Sequence, residues 1–281
     1  MGLFENKILT DEDFLYFKEK IFSSSGISLS LSKKTLVQSR LNSHLDKLNI
    51  PTFNKYRIYL ESISDNDPEI QSFINLLTTN KTEWFRENDH FIYLVNKFIP
   101  AWKKQGKKTL KVWSAASSSG EEAYTLAVIL KNLLENTGIN FEITGSDIDT
   151  SVLEFAKNGV YKKDQLINIP SEYHRYFDLG TNEIKDWMKV NKAIRPHVSF
   201  RQFNLKNGEY QDINESFDLI FCRNVMIYFT PETIAEIAEG LFHNAAENSV
   251  LVISHSESLQ SLKTKWKVKQ PSVYTKGPLF I

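Results

Sequence analysis

A mainly parallel α/β sheet preceded by a small all-helical domain is the architecture this sequence predicts. Short β-rich runs alternate with helical stretches from Leu110 onward, the pattern of strands joined by crossover helices. Before about residue 91 the apolar residues recur instead at three- and four-residue spacing, the period of an amphipathic helix. Lys103-Lys104-Gln105-Gly106-Lys107-Lys108, a solvated turn or linker, separates the two textures.

In the first segment, Thr10 reads as an N-cap, with Asp11 and Asp13 in the first turn of the helix it opens. Leu36, Val37, Leu41, Leu45 and Leu48 mark one buried stripe of a second helix. Pro51-Thr52 opens another carrying Phe53, Tyr56, Tyr59 and Leu60. Pro68 opens a further one with Phe73, Ile74 and Leu77 inward. In the second segment, strands are expected at Leu110 to Ser114, Phe141 to Ser146, Val198 to Phe203, Phe217 to Cys222 and Ser249 to Ser254. Helices are expected at Glu121 to Glu135, Ser151 to Lys157 and Pro231 to Asn244. Trp266 to Lys276 suits antiparallel edge strands, and Gly180-Thr181-Asn182 suits the turn of a small inserted hairpin between about Tyr176 and Arg195.

Bulk composition narrows the function. The 281 residues are 41% hydrophobic and 24% charged, ordinary for a globular protein. Lysine plus arginine equals aspartate plus glutamate at 34 each, so no global field draws in nucleic acid or an anionic membrane. The single cysteine, Cys222, permits no intrachain disulfide and no four-cysteine zinc site, which suits a reducing cytoplasm. Met1-Gly2-Leu3-Phe4-Glu5 lacks the basic-then-apolar pattern of a signal peptide. The apolar run from Phe217 to Phe229 is broken by Asp218, Arg223 and Asn224, so no membrane insertion is expected.

Val112-Trp113-Ser114-Ala115-Ala116-Ser117-Ser118-Ser119-Gly120-Glu121-Glu122 runs from a buried strand through very small residues into a helix. Small side chains let a ligand approach the backbone, and the helix start offers N–H groups. Neither G-x-G-x-x-G nor a phosphate-binding Gly-Lys-Ser/Thr is present, and Glu121 and Glu122 would repel a pyrophosphate. A ligand with a cationic centre and an ammonium group suits an acidic loop better. The same residues would also serve as a plain strand–helix connection with first-turn acids favouring the helix dipole.

Asp147, in Ser146-Asp147-Ile148-Asp149, follows the next strand, where an acid can accept hydrogen bonds from both hydroxyls of an adenosine ribose. Helix capping falls to Asp149 or Thr150. Phe217-Asp218-Leu219-Ile220-Phe221-Cys222 then delivers Arg223, Asn224 and Tyr228 near the carboxyl end of a strand, the end at which open α/β sheets bind ligands. Cys222 itself reads as core filling. Asn80, Thr82 and Arg86 lie where the helical segment ends; singly they read as cap candidates and a surface charge.

Together these residues resemble the CheR-type chemotaxis receptor glutamate O-methyltransferases. Asn80-Lys81-Thr82-Glu83-Trp84-Phe85-Arg86 is similar to the family's N-x-T-x-F-F-R segment. Trp113 to Tyr124 is similar to its W-S-A-G-C-S-T-G-E-E-P-Y loop, with Ala116 and Ser117 in place of Gly and Cys. Ser146-Asp147-Ile148-Asp149 matches its T/S-D-I-D turn, and Phe221 to Phe229 matches the family segment letter for letter. The resemblance implies an S-adenosylmethionine-dependent, Rossmann-like sheet. It divides the chain into a helical N-terminal domain at 1–91 and a catalytic domain at 92–281, with an inserted β-subdomain at about 176–197.

It further implies that S-adenosyl-L-methionine is held by Asn80, Thr82, Arg86, Glu122 (or Glu121), Asp147, Asn204, Leu205, Arg223 and Asn224, and that S-adenosyl-L-homocysteine is the product. Arg86 and Tyr228 would stand nearest the transferred methyl group and be catalytic; no metal is implied. The implied substrate is the cytoplasmic domain of chemotaxis receptors. The helix Thr35 to Leu48 would face its methylation region, here with Arg40 but Asn42, Ser43, His44 and Asp46 in place of further arginines. Some members dock a receptor's C-terminal peptide on the β-subdomain, where this chain has Asp186-Trp187 in place of glycine and an apolar residue. Rival readings are a methyltransferase for RNA or a small molecule, and a signalling module that binds cofactor or receptor without turnover.

Overall fold

The computed structural model describes residues 7–277; the reading of Met1 to Glu5 lies outside them. The chain divides into two compact units, Met1–Thr79 with Tyr228–Thr230, and Asn80–Ile227 with Pro231–Ile281.

The first unit is built from four helices: α1 (Asp11–Ser25), α2 (Lys34–Lys47), α3 (Phe53–Ser62) and α4 (Pro68–Leu77). Their starts follow local chemistry. The Thr10, Thr52 and Asp67 side chains accept the N–H groups of Asp13, Lys55 and Glu69, and Pro68 occupies the first turn of α4. Gly26, at φ 81°, closes α1 by donating to the Phe22 carbonyl. Val37, Leu41 and Leu45 are buried as the periodicity predicts, but Leu48 is 37% exposed because α2 has already ended at Lys47. Phe17 sits at the centre of this core, its ring 5.8–6.4 Å from those of Phe53, Tyr56 and Phe73. Arg40 Nη1 donates to the carbonyls of Leu76 and Thr78 and so caps the end of α4. The Ser28 N–H donates to the Tyr228 carbonyl, which joins the Tyr228–Thr230 segment to this unit.

The second unit opens with a helical run: α5 (Asp89–Tyr93), a π-helical stretch (Leu94–Phe98) and α6 (Ile99–Lys103). Then follow β1 (Thr109–Ser114), α7 (Glu121–Leu134), β2 (Asn140–Asp147), α8 (Thr150–Asn158) and β3 (Val160–Lys162). After these come β4 (Phe177–Leu179), β5 (Trp187–Val190), β6 (Val198–Gln202), β7 (Phe217–Phe221), α9 (Pro231–His243), β8 (Ala245–Val252), β9 (Lys267–Gln270) and β10 (Val273–Thr275). The large sheet has the order β6-β2-β1-β7-β8-β10-β9. Strands β6 to β8 run parallel, and β10 and β9 close the edge antiparallel. Val112 is in register with Ile143 on one side and Leu219 on the other, and all three are buried, as a sheet covered on both faces requires. Trp84, Phe91, Phe98 and Trp102 pack into the same core as Leu126, Ile129 and Leu130 of α7.

Two local expectations change. The strand expected at Ser249 to Ser254 runs instead over Ala245–Val252. Ala245 already pairs with Phe217, and past Val252 the Ser254 N–H turns to the Glu257 carboxylate. The inserted hairpin is two strands of a three-stranded antiparallel sheet, order β3-β5-β4. The additional strand β3 is only three residues long, too short for alternation to reveal.

Candidate functional site

Glu122, Asp147, Arg223 and Asn224 lie by the carboxyl ends of β1, β2 and β7, the end at which an open parallel sheet presents its ligand crevice. The small-residue loop leaves β1 at Ser114 and enters α7 at Gly120. Ser118 (φ 48°) and Gly120 (φ 97°) are both left-handed, which lets the loop fold tightly enough that the Ser118 N–H donates to Asp147 Oδ2 at 2.8 Å. A Cβ on Gly120 would stand 2.9 Å from both Ala156 Cβ and Tyr161 Oη. Gly120→Ala is therefore expected to cost roughly 1–3 kcal/mol of stability from backbone strain and crowding, read as a lower midpoint in urea denaturation.

Asp147 ends β2, buried, with Oδ1 accepting the Asp149 N–H at 3.0 Å. Burial pushes its carboxyl up to about 6, against the pull of the backbone N–H groups it accepts. Asp149 takes the capping role instead, accepting from the N–H groups of Ser151 and Val152. It also accepts Asn80 Nδ2 at 2.6 Å, while the Asn80 carbonyl accepts the Ser118 hydroxyl at 3.0 Å. Asn80 is thus pinned to both the loop and the Asp147 turn.

Glu121 and Glu122 separate clearly. Glu121 accepts from the hydroxyl of Ser119, a residue whose backbone carbonyl accepts Tyr161 Oη of β3. Glu122 accepts the Ser114 hydroxyl at 2.7 Å and Arg223 Nη1 at 2.9 Å. Arg223, with only 1% of its side chain exposed, also lies 3.3 Å from Glu87 Oε2 and donates to the Arg86 carbonyl at 2.5 Å. One guanidinium therefore faces two carboxylates, leaving surplus negative charge in a buried place. Burial raises Glu122 above its ordinary range although Arg223 and Ser114 pull it down. Against the desolvation of burial, Asn224, Arg223 and the His255 N–H hold Glu87 below its ordinary range.

Arg86 sits between two left-handed non-glycine residues, Phe85 at φ 55° and Glu87 at φ 54°. Such conformations persist only where surroundings impose them. Here the Trp84 indole N–H donates to Gln165 on one side, and Arg223 and Asn224 hold Arg86 and Glu87 on the other. The Arg86 side chain itself is half-buried, with Nη1 donating to the Lys81 carbonyl at 2.7 Å. Thr82 is half-buried in the same segment. Asn224, at φ 57°, donates Nδ2 to Glu87 Oε1 at 3.0 Å. Asn204 and Leu205 follow β6 and lie near Asp147 through the Phe203 N–H, which donates to the Asp147 carbonyl; Leu205 is buried and its carbonyl accepts Tyr210 Oη. Tyr228 belongs to the helical unit.

Sequence reasoning missed Glu87, the hub beside Arg86, and Glu257. An acid directly after the N-x-T-x-F-F-R-like segment was the available signal for the first. Glu87, His90 and His255 bring three ligand-type atoms within 4.8 Å of one another. The carboxylate is already engaged by Asn224, the His255 N–H and the buried Arg223, so a metal dication would sit beside a guanidinium, and burial pushes His90 down to about 3 as a neutral ring tilted 36° against His255. The trio makes a poor metal site.

A sulfonium amino-acid ligand suits these residues. The surplus carboxylate charge calls for an ammonium. Arg223 Nε, buried and without a hydrogen-bond partner among the described residues, calls for an acceptor such as a carboxylate.

Comparison with known proteins agrees. Residues 80–275 match the family model "CheR methyltransferase, SAM binding domain", and residues 12–78 match "CheR methyltransferase, all-alpha domain". The chain is 36% identical to the chemotaxis protein methyltransferase of Escherichia coli, over 96% of this chain and 92% of that protein. It is 34% identical to the chemotaxis protein methyltransferase of Borreliella burgdorferi, over 96% and 95% of the two chains. With chemotaxis protein methyltransferase 2 of Pseudomonas aeruginosa it shares 38% identity over 89% and 87%. The chain belongs to the CheR methyltransferase family.

Proposed function

We propose that this protein transfers the methyl group of S-adenosylmethionine to glutamate side chains in the cytoplasmic domain of chemotaxis receptors. The observation that supports this reading is the grouping, in a chain of this family, of Asp147 at the end of β2, Glu122 in the first turn of α7 and Arg223 just past β7 bound to Glu122, groups whose chemistry suits the ribose, ammonium and carboxylate of the donor. S-adenosylmethionine supplies an electrophilic methyl carbon; a glutamate oxygen forms the new C–O bond as the C–S bond breaks, and S-adenosylhomocysteine leaves with the electron pair.

No proton moves in that step, because a glutamate carboxylate is ionised at neutral pH, with a reference pKa of about 4.3. The chain therefore needs no general base, and its contribution is orientation, worth up to about 7–11 kcal/mol in favourable cases. Arg86 steers the incoming carboxylate without clamping it in a way that would blunt its nucleophilicity, and Tyr228 orients it through the phenol. Asn80 and Thr82 support the near wall, and Asn204 with Leu205 holds the adenine. Glu122, rather than Glu121, takes the ammonium. The three-stranded β3-β5-β4 sheet is the place for a receptor tail peptide, and the protein acts in the cytoplasm. No helix among the described residues is long and apolar enough to cross a membrane.

Incubating the protein with methyl-tritiated S-adenosylmethionine and a receptor cytoplasmic fragment is expected to label the fragment and to release tritiated methanol in mild base, the mark of a carboxyl methyl ester. Binding of the donor with no transfer to any receptor would favour a non-catalytic module.

Affinity should also depend on pH. An ionised Asp147 accepts both ribose hydroxyls with charge assistance and a protonated one accepts them less well, so ligand binding favours the deprotonated form and protons oppose it. The dissociation constant for S-adenosylhomocysteine is expected to rise as pH falls through about 6, steepening toward tenfold per unit, with Glu122 adding in the same direction. Without ligand the sign for stability is opposite. A carboxyl raised by burial favours the fold below its unfolded value and loses that contribution as pH rises through about 6. Titration calorimetry between pH 5 and pH 7.5 reads the first effect; a flat affinity over that range would remove Asp147 from the pocket.

A further inference from the structure

The ladder between β7 and β8 ends with the Cys222 N–H donating to the Val252 carbonyl at 2.9 Å. The chain then leaves the strand to form Arg223 to Met226, and amides past a strand end have no carbonyl opposite them. Both Asn224 and Met226 turn to one side chain. Glu257 Oε2 accepts the Asn224 N–H at 3.2 Å, and Glu257 Oε1 accepts the Met226 N–H at 2.8 Å. The same carboxylate accepts the Ser254 N–H at 2.8 Å, so it ties the segment after β7 to the segment after β8. Glu257 is buried, and the Asn224 it holds has a left-handed backbone. Three charge-assisted hydrogen bonds on one carboxylate are strong enough to hold that conformation.

We infer that Glu257 is a positioning residue for the amino-acid end of the donor: by holding the Asn224 and Met226 amides it fixes the turn that aims Arg223 and Asn224 into the pocket. The inference rests on the reading of that pocket as an S-adenosylmethionine site. Glu257 touches no ligand itself; it acts through the backbone on either side of Asn224. A carboxylate is the fitting side chain because all three partners are N–H donors, and an amide in its place would turn its own N–H groups toward at least one of them.

A structural prop and a positioning device differ in which part of the ligand they affect. Glu257→Gln is expected to weaken S-adenosylhomocysteine, which carries the amino-acid end, by about tenfold, the scale of one lost charge-assisted hydrogen bond. Binding of 5′-methylthioadenosine, which lacks that end, is expected to stay within about twofold, since Asp147 and the loop after β1 are untouched. Equal loss for both ligands, or no loss for either, would overturn the inference. Wild-type protein that binds neither ligand would instead overturn the cofactor reading. Should the variant fail to fold, amide exchange on the wild-type protein decides. Slow exchange at Asn224, Met226 and Ser254 is expected, and exchange there at the rate of exposed amides would rule Glu257 out.

Discussion

An Arg223→Met protein is expected to be less stable than wild type by about 3–5 kcal/mol at neutral pH and to lose measurable donor binding. Methionine fills similar apolar volume, so the loss is chiefly electrostatic. Arg223 is the guanidinium between Glu122 and Glu87, with almost none of its side chain in solvent. Without it two carboxylates face each other with no counter-charge, and the Arg86 carbonyl loses its donor. Both acids would then titrate higher in the fold than in the unfolded chain. Protonation relieves the repulsion, so the deficit is largest above their folded values and shrinks as pH falls toward the unfolded ones. Urea denaturation at pH 5 and pH 7.5 should show the variant approaching wild type at the lower pH. Equal midpoints for the two proteins at pH 7.5 would mean that the buried pairs do not contribute as their geometry implies.

Arg86→Ala should give the opposite profile, a large loss of activity with little loss of stability. The side chain is half-buried and donates to one backbone carbonyl, Lys81, within its own segment. The strained turn is held by its neighbours, through Trp84, Glu87 and the Arg86 carbonyl, all of which survive the substitution. With Arg86 in the orienting role proposed for it, its removal is expected to lower methyl transfer by about 10²–10³-fold. Donor affinity should fall as well, because the proposed function puts the same guanidinium beside the transferred methyl group. Base-labile methyl release measures the first and calorimetry the second. Unchanged turnover together with unchanged affinity would take Arg86 out of the site.

The contrast between these two arginines shows what the sequence made legible. Alternating strand and helix texture from Leu110 onward anticipated the large sheet's strands along the chain, though not their order within the sheet, because buried parallel strands must be short apolar runs. The site loop was visible because small residues between a strand and a helix form a local pattern. Local chemistry also separated Asp149 as the cap from Asp147. Glu87 and Glu257 were not visible, since their importance comes from residues far away in sequence, Arg223 and Asn224 in one case and the amides beyond β7 in the other. Arg40 shows the reverse. The resemblance puts it on the helix face toward a receptor's methylation region, yet its Nη1 donates to the carbonyl end of α4. Short elements escaped for another reason: β3 has three residues, fewer than any periodicity can report.

Titration calorimetry of the wild-type protein with S-adenosylhomocysteine at neutral pH tests the central claim most directly, paired with an Asp147→Asn variant. The account predicts one molecule bound per chain by the wild type and sharply weakened binding by the variant. Absence of heat with wild-type protein, or equal affinity in the two, would contradict a donor pocket built around Asp147, Glu122 and Arg223.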